Sequence, residues 1–518
     1  MPRTRRPLVA LGALSLALTM ALSGCVTAFF PRDTGGGGAS TPAPVSDDLD
    51  EELVPFYEQQ LAWESCEGGG FECATVTAPM DWENPADGDI ELAIIRQRAL
   101  GGDPIGSLLM NPGGPGASGY DLVADSVDFA AGDALQQNFD VVGFDPRGVS
   151  RSAPVSCLDA DAMDDYLYGL PENEVGSDAW IAEVTASSME FSAACAANTG
   201  ESLEFITTVN AAHDLDLLRA VLGDDQLYYL GYSYGTFLGA TYAELYPEHA
   251  GRLVLDGAID PSASIFDVTV AQSQGFESAL AAYLEDCLAS DECPFTGTVD
   301  SAKHVIADLL ASVDASPLTA SDGRRLGSSA LLTAIIYPLY SADSWPYLSQ
   351  MFDQVMSGDP TYAFFFADQY NGRDENGEYI NNQTEAFSAY NCRDYTFDPD
   401  VDRMRQNAEE LVQAAPVMGP YMGYGDIACS TWPYPEQAER NEIHAQGADP
   451  IMVIGTTNDP ATPYAWAEAL ADQLDSGFLV TYEGEGHTAY NKGSECVNAA
   501  VERFLVDGTV PSDGLRCD

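Results

Sequence analysis

The chain is poor in positive charge. Among 518 residues, 21 are Lys or Arg against 81 Asp or Glu, and only Lys303 and Lys492 are lysines. A formal charge of −60 repels phosphates and excludes nucleic acid as a partner. It reads as a solvated acidic surface that keeps an exported protein soluble, with adaptation to high salt as the alternative. No G-K-[ST] motif is present, so a nucleotide-binding P-loop is not expected. No C-x-x-C pair with matching histidines occurs, which argues against zinc. No metal or organic cofactor is implied. Beyond the N-terminus no segment is long and apolar enough to span a membrane, and no internal repeat is visible.

What is present begins with an address. Arg3, Arg5 and Arg6 precede an apolar run from Leu8 to Leu22, followed by Leu22-Ser23-Gly24-Cys25. This pattern resembles a bacterial lipoprotein signal over residues 1–24, with Cys25 as the lipid acceptor. Thr4-Arg5-Arg6-Pro7-Leu8 loosely resembles a twin-arginine signal, which leaves the export route open. Residues 25–52 have linker composition, so the folded part is expected to begin near Leu53. The expected location is the extracellular face of the membrane. The ten other cysteines suit disulfides in an exported chain, and their spacing suggests neighbours paired in order: 66–73, 157–195, 287–293, 392–429 and 496–517.

Short apolar runs predict buried parallel strands at Ser107–Asn111, Phe139–Phe144, Leu227–Gly231, Arg252–Leu255, Ile451–Gly455 and Phe478–Tyr482. Helical patterns fall between them, as at Asn210–Leu222 and Thr236–Tyr246. This alternation predicts an α/β fold with a mostly parallel, doubly wound sheet. Between about 260 and 430 the strand signal fades into helix formers and aromatics. The expected organisation is a core over 53–260, a mainly helical lid over 261–430, and the rest of the core over 431–518. A separate binding domain is the alternative for the middle stretch.

Leu227-Tyr-Tyr-Leu-Gly231-Tyr232-Ser233-Tyr234-Gly235 places G-x-S-x-G between a strand and a helix. That is the setting of a nucleophile elbow, with Ser233 as nucleophile. Asn111-Pro-Gly-Gly114-Pro-Gly116 follows another strand, and its Gly114 N–H with that of Tyr234 would form an oxyanion hole. The five histidines are His213, His249, His304, His444 and His487. His487 lies just past the last predicted strand, where this fold carries its base. Asp459, after the strand Ile451–Gly455, is the expected acid, with Asp256 as the other candidate. Thr462 then Pro463 read as a helix N-cap and first turn.

These motifs form a series with Asp145-Pro-Arg147-Gly148, Leu255-Asp-Gly and Gly-Glu-Gly-His487. Together they resemble the secreted tripeptidyl aminopeptidases of Gram-positive bacteria, relatives of the proline iminopeptidases. The resemblance covers nearly all the chain from about residue 55. It implies an α/β-hydrolase fold and a Ser233–Asp459–His487 triad. It further implies an exopeptidase that frees short peptides from an unblocked N-terminus. Proline iminopeptidases carry His-Gly-Gly-Pro-Gly, whereas Pro112 stands at the histidine's position here, which argues against strict release of single prolines. Such an enzyme needs a carboxylate for the substrate's ammonium. Asp394, Glu385 and Glu378 are candidates. The alternatives are a carboxylesterase with the same triad and a non-catalytic lipid-anchored binding protein. A monomer acting on peptides is expected.

Overall fold

A computed structural model describes residues 41–44, 49–436, 440–512 and 514–518. The export signal, Cys25 and most of the expected tether lie outside these residues.

Ten strands form one sheet. They are β1 (Glu64–Cys66), β2 (Phe71–Pro79), β3 (Asp89–Gln97), β4 (Ser107–Asn111), β5 (Asp140–Phe144), β6 (Leu227–Tyr232) and β7 (Ala250–Asp256), then, after a two-stranded hairpin of β8 (Leu318–Thr319) and β9 (Arg325–Leu326), β10 (Ile451–Asn458), β11 (Gly477–Glu485) and β12 (Leu515–Cys517). The sheet order is β1-β2-β3-β5-β4-β6-β7-β10-β11-β12, parallel from β5 onward and antiparallel across β1, β2, β3 and β5. All six predicted parallel strands are present. The antiparallel β1–β3 ribbon is an addition that the sequence reading missed. Its strands are short or carry polar residues such as Asp89, Glu91 and Gln97, so no continuous apolar run marks them.

Helices cover both faces. Leu108 and Met110 join one core, with Val123, Val501 and Phe504, while Leu109 between them joins the opposite core with Leu217, Leu238 and Leu255. This two-residue alternation is what a strand buried on both faces requires. The fold is that of the α/β hydrolases. Helices α1 (Val54–Tyr57), α2 (Gly119–Ala130) and α3 (Asp133–Asn138) precede a first excursion, α4 (Ala160–Tyr168) and α5 (Asp178–Thr199). Next come α6 (Thr208–Leu222) and α7 (Tyr234–Leu245), which flank β6.

The chain then leaves the sheet through α8 (Ile265–Leu288), α9 (Val299–Ala315), α10 (Ser328–Leu339), α11 (Trp345–Met356), α12 (Thr361–Asn371), α13 (Gln383–Asp394), α14 (Val401–Ala414) and α15 (Asp426–Ser430). It returns with α16 (Tyr464–Gln473) and α17 (Glu495–Asp507). The α8–α12 helices bury their own core, including Phe276, Leu280, Leu284, Leu331, Ile335 and Phe352. The excursion between β5 and β6 packs on both layers: Met163, Phe191 and Cys195 join the core under the sheet, while Ile181 of α5 meets Met404 and Ile427.

The described chain also starts earlier than expected. Ala43 N–H donates to Ala220 O at 2.8 Å, satisfying a carbonyl at the end of α6. The ten cysteines among the described residues pair as neighbours in chain order. Loop-closure entropy gives about 4 kcal/mol for the 38-residue Cys157–Cys195 span and about 2.5 for Cys66–Cys73.

Arg147 is the largest fully buried side chain. Its Nε and Nη2 grip Asp214 at 2.7 and 2.6 Å, and its remaining N–H groups reach the carbonyls of Pro79, Met80 and Phe205. All five donors are thus matched, which a buried guanidinium needs. Arg147→Met is expected to cost about 3–5 kcal/mol, because Asp214 is left buried without its counter-charge. Urea unfolding should show a lower midpoint at an unchanged slope.

Candidate active site

The turn from β6 to α7 holds Ser233 at φ 54°, ψ −123°, a left-handed conformation that costs a non-glycine residue about 1–3 kcal/mol. The close approach around it leaves no room for side chains at the flanking glycines. A Cβ on Gly231 would lie 2.4 Å from Gly235 O, and one on Gly235 would lie 2.8 Å from Asn111 Oδ1. Ser233 N–H donates to Asp256 O at 2.9 Å, tying the elbow to the end of β7.

Asn111-Pro-Gly-Gly114 lies against this elbow. A Cβ on Gly113 would stand 2.9 Å from Ser233 Cβ and 3.1 Å from Tyr234 N. The Gly113 N–H is taken by Asn111 Oδ1 at 2.9 Å. Among the described residues, the N–H groups of Gly114 and Tyr234 have no recorded acceptor. Tyr234 opens α7, where the first N–H groups lack intrahelical partners.

Asp459 and His487 follow β10 and β11, both at the carboxyl edge of the sheet. His487 Nδ1 lies 2.9 Å from each carboxylate oxygen of Asp459. Asp459 is buried and also accepts from Ala461 N, Thr462 N, Thr462 Oγ1 and Thr488 N at 2.9–3.1 Å. Burial pushes its carboxyl up, but the neighbouring imidazole and these donors outweigh that and leave it below the usual aspartate value. Thr462 is therefore not the N-cap that the sequence suggests. Its hydroxyl is committed to Asp459, and Pro463 occupies the cap position of α16.

Asp256, the other candidate acid, does another task. Its carboxylate accepts from Ala489 N and Tyr490 N at 2.8–3.0 Å, so it clamps the loop that carries His487. Its neighbour Gly257 brings the two ends of the site together, since a Cβ there would sit 3.3 Å from His487 Cε1. His487 makes its side-chain hydrogen bonds to Asp459 and Thr462, and none to Ser233. Contacts of that kind commonly tighten only when substrate binds.

The other histidines bond elsewhere. His213 meets the Tyr246 hydroxyl, and His249, His304 and His444 meet backbone carbonyls. Among the described residues no group of three His, Cys, Asp or Glu is placed to hold a metal, and no helix is long and apolar enough to cross a membrane.

The three carboxylates considered for a substrate ammonium separate clearly. Asp394 is held by Thr208 N and Oγ1 at 3.1 and 2.6 Å, and that hydroxyl in turn meets the Tyr234 phenol. Burial pushes its carboxyl up to about 6. The Asp394 carboxylate is thus occupied within the protein, as its place in sequence could not reveal. Glu378 is exposed at the rim of a cavity of about 530 Å³. Glu385 lines the same cavity but is only 9% exposed, and its carboxylate accepts from its own backbone N–H and makes no ion pair or side-chain hydrogen bond among the described residues. Burial pushes it up to about 7. Its helix, α13, packs on the glycine loop, where a Cβ on Gly116 would lie 2.8 Å from Gln383 O.

The helical layer roofs His487. His487 N–H donates to Tyr340 O at 2.9 Å, and the Tyr340 ring stands edge-on to the imidazole at 5.3 Å. Nothing in the local sequence around Tyr340 signals this.

Residues 415–517 match the model of the TAP-like protein family. The chain is 36% identical over 489 residues to serine protease Hip1 of Mycobacterium tuberculosis, covering 89% of this chain and 92% of that protein. It is 37% identical over 486 residues to carboxylesterase B of the same organism, covering 90% and 91%. It is 30% identical over 471 residues to the tripeptidyl aminopeptidase of Streptomyces lividans, covering 88% and 86%. A hydrolase elbow on an α/β-hydrolase sheet, shared over nearly the whole chain with such relatives, makes this protein a serine peptidase of the tripeptidyl-aminopeptidase-like family.

Proposed function

We propose that this peptidase frees short peptides, chiefly tripeptides, from unblocked N-termini through an acyl-enzyme. Ser233 Oγ attacks the scissile carbonyl, and His487 Nε2 takes its proton while Nδ1–H stays bonded to Asp459. The oxyanion accepts hydrogen bonds from the N–H groups of Gly114 and Tyr234. His487 then protonates the leaving amine, and water hydrolyses the ester on Ser233. The lipobox around Cys25 supports a lipid-anchored enzyme at the extracellular face, and membrane fractionation of a Cys25→Ala strain tests that location.

One observation supports the exopeptidase reading above others. Glu385 is a buried carboxylate without a side-chain partner, in a cavity beside the glycine loop. A substrate ammonium is the partner it lacks. Asp121, Arg151, Glu378 and Tyr379 share the cavity, but Arg151 is paired with Asp121 at 2.7 Å, and Tyr379 donates to Asp164. Release of a coumarin from a tripeptide amide should therefore require a free amino terminus, with the N-acetylated twin nearly inert. Glu385→Gln should raise KM for the free peptide about 10–100-fold, the worth of one charge-assisted hydrogen bond.

The pH dependence has a defined sign. The ammonium binds the ionised carboxylate, so KM should rise as pH falls through about 7, and Glu385→Gln should flatten that limb. Equal cleavage of free and acetylated peptides would sink the exopeptidase reading. The carboxylesterase relative supports a second reading, an esterase with the same triad, and brisk hydrolysis of simple esters with no peptide cleavage would establish it.

A further inference from the structure

We infer that the aromatic strip running outward from His487 along α10 and α12 is the subsite for apolar side chains of the leaving peptide. This rests on the acyl-transfer reading above. In that chemistry His487 hands its proton to the leaving amine, so the departing residues lie on the His487 side of Ser233. The acyl portion lies on the other side, toward Gly114 and α13. Tyr340 is the first group beyond His487, with ring centroids 5.3 Å apart. Its hydroxyl interacts with that of Tyr370. Tyr370 stands edge-on to Tyr337 at 6.3 Å, and Tyr337 meets Phe366 at 6.1 Å. Phe366 in turn contacts Phe365 at 5.5 Å.

These rings are not all core. Tyr337 is 37% exposed, Tyr370 41% and Phe365 52%. Phe366 and Tyr370 share one face of α12, with Phe365 at its margin and Tyr337 near the end of α10, while Phe364 and Asp368 of α12 turn to Tyr168 and Arg324. A contiguous set of rings that begins at the catalytic base, with Tyr337, Tyr370 and Phe365 exposed and Phe366 buried beneath them, offers flat apolar area to the first two leaving residues. The Tyr340 and Tyr370 hydroxyls are taken up by each other, so what the strip offers is ring surface. The occupant is thus an apolar or aromatic side chain at either of those two positions, rather than an acidic one.

The test uses two free pentapeptides that share one acyl tripeptide and end in Leu-Leu or Gly-Gly. Cleavage after the third residue is followed by chromatography. The wild type should favour Leu-Leu in kcat/KM by about tenfold or more, as burial of such a side chain warrants. Tyr337→Ala and Tyr370→Ala should bring that ratio near unity. Tyr370→Phe keeps the ring and should retain the preference, and thermal melts check that each variant is folded. Equal rates on both peptides in the wild type would overturn the subsite while leaving the peptidase reading intact. So would a ratio that survives in both alanine variants. A shift in preference among acyl tripeptides with a common coumarin leaving group would also overturn it, by placing the strip on the acyl side. Cleavage of neither pentapeptide, with esters still hydrolysed, would instead remove the exopeptidase reading itself.

Discussion

Ser233→Ala is expected to lower kcat by about 10⁶-fold with little change in KM. In the proposed mechanism the Ser233 Oγ is the nucleophile that carries the acyl group, so its loss leaves only the oxyanion donors and substrate positioning, worth about 10³–10⁴ over water. The magnitude follows from the site's construction. Ser233 is held in a strained turn, with its N–H fixed to Asp256 O and Gly113 packed on its Cβ. Such a turn persists only where the surroundings over-determine it, and alanine keeps the same backbone. The variant should therefore fold and melt like the wild type. A fluorophosphonate probe should add mass to the Ser233 peptide of the wild type alone. Labelling at another residue, or activity within tenfold of wild type, would overturn the assignment.

Asp459→Asn is expected to lower kcat by about 10⁴-fold. Asp459 accepts from His487 Nδ1 and from four further donors, so every one of its contacts uses an acceptor oxygen. Asparagine must turn an NH₂ toward one of them. If that group faces His487, Nδ1 becomes the acceptor and Nε2 carries the proton, which leaves no base for Ser233. Stability should change its pH dependence as well. The Asp459 carboxyl lies below its unfolded value of 3.8, so its stabilisation is complete above that pH and is lost as pH falls through the lower, folded value. Urea midpoints measured from pH 5 to pH 3 should fall more gently in Asp459→Asn. An unchanged kcat would show that another carboxylate orients His487.

Much of the fold was legible because its signals are local. β4, β6, β7 and β10 are short apolar runs buried on both faces, and a parallel sheet demands that pattern. β2 and β3 were not legible. Both mix polar with apolar residues in a ribbon at the sheet edge, with Glu72 and Arg96 paired on it, so neither forms a continuous apolar run. The first helical excursion reads as helix from its periodicity, but its partner Met404 is more than 200 residues from Ile181. Among the acids, Asp256 and Asp459 both follow strands and look alike in sequence. They part only in three dimensions, where one faces backbone N–H groups and the other an imidazole.

Local sequence was enough for the strand–serine–helix elbow, the glycine loop and the individual core strands, and it suggested an order for the cysteine pairs. Each depends on backbone geometry or chain closure over a few residues to a few tens, whereas the order of the strands does not, since β7 pairs with β10 through Leu253 and Ile451. Only the tertiary structure decided that Tyr340 roofs His487, that Thr208 occupies Asp394, and that Glu385 remains buried without a side-chain partner. These outcomes join segments far apart in the chain. They follow from which layer each helix packs against and which hydrogen-bonding groups that packing leaves unmatched.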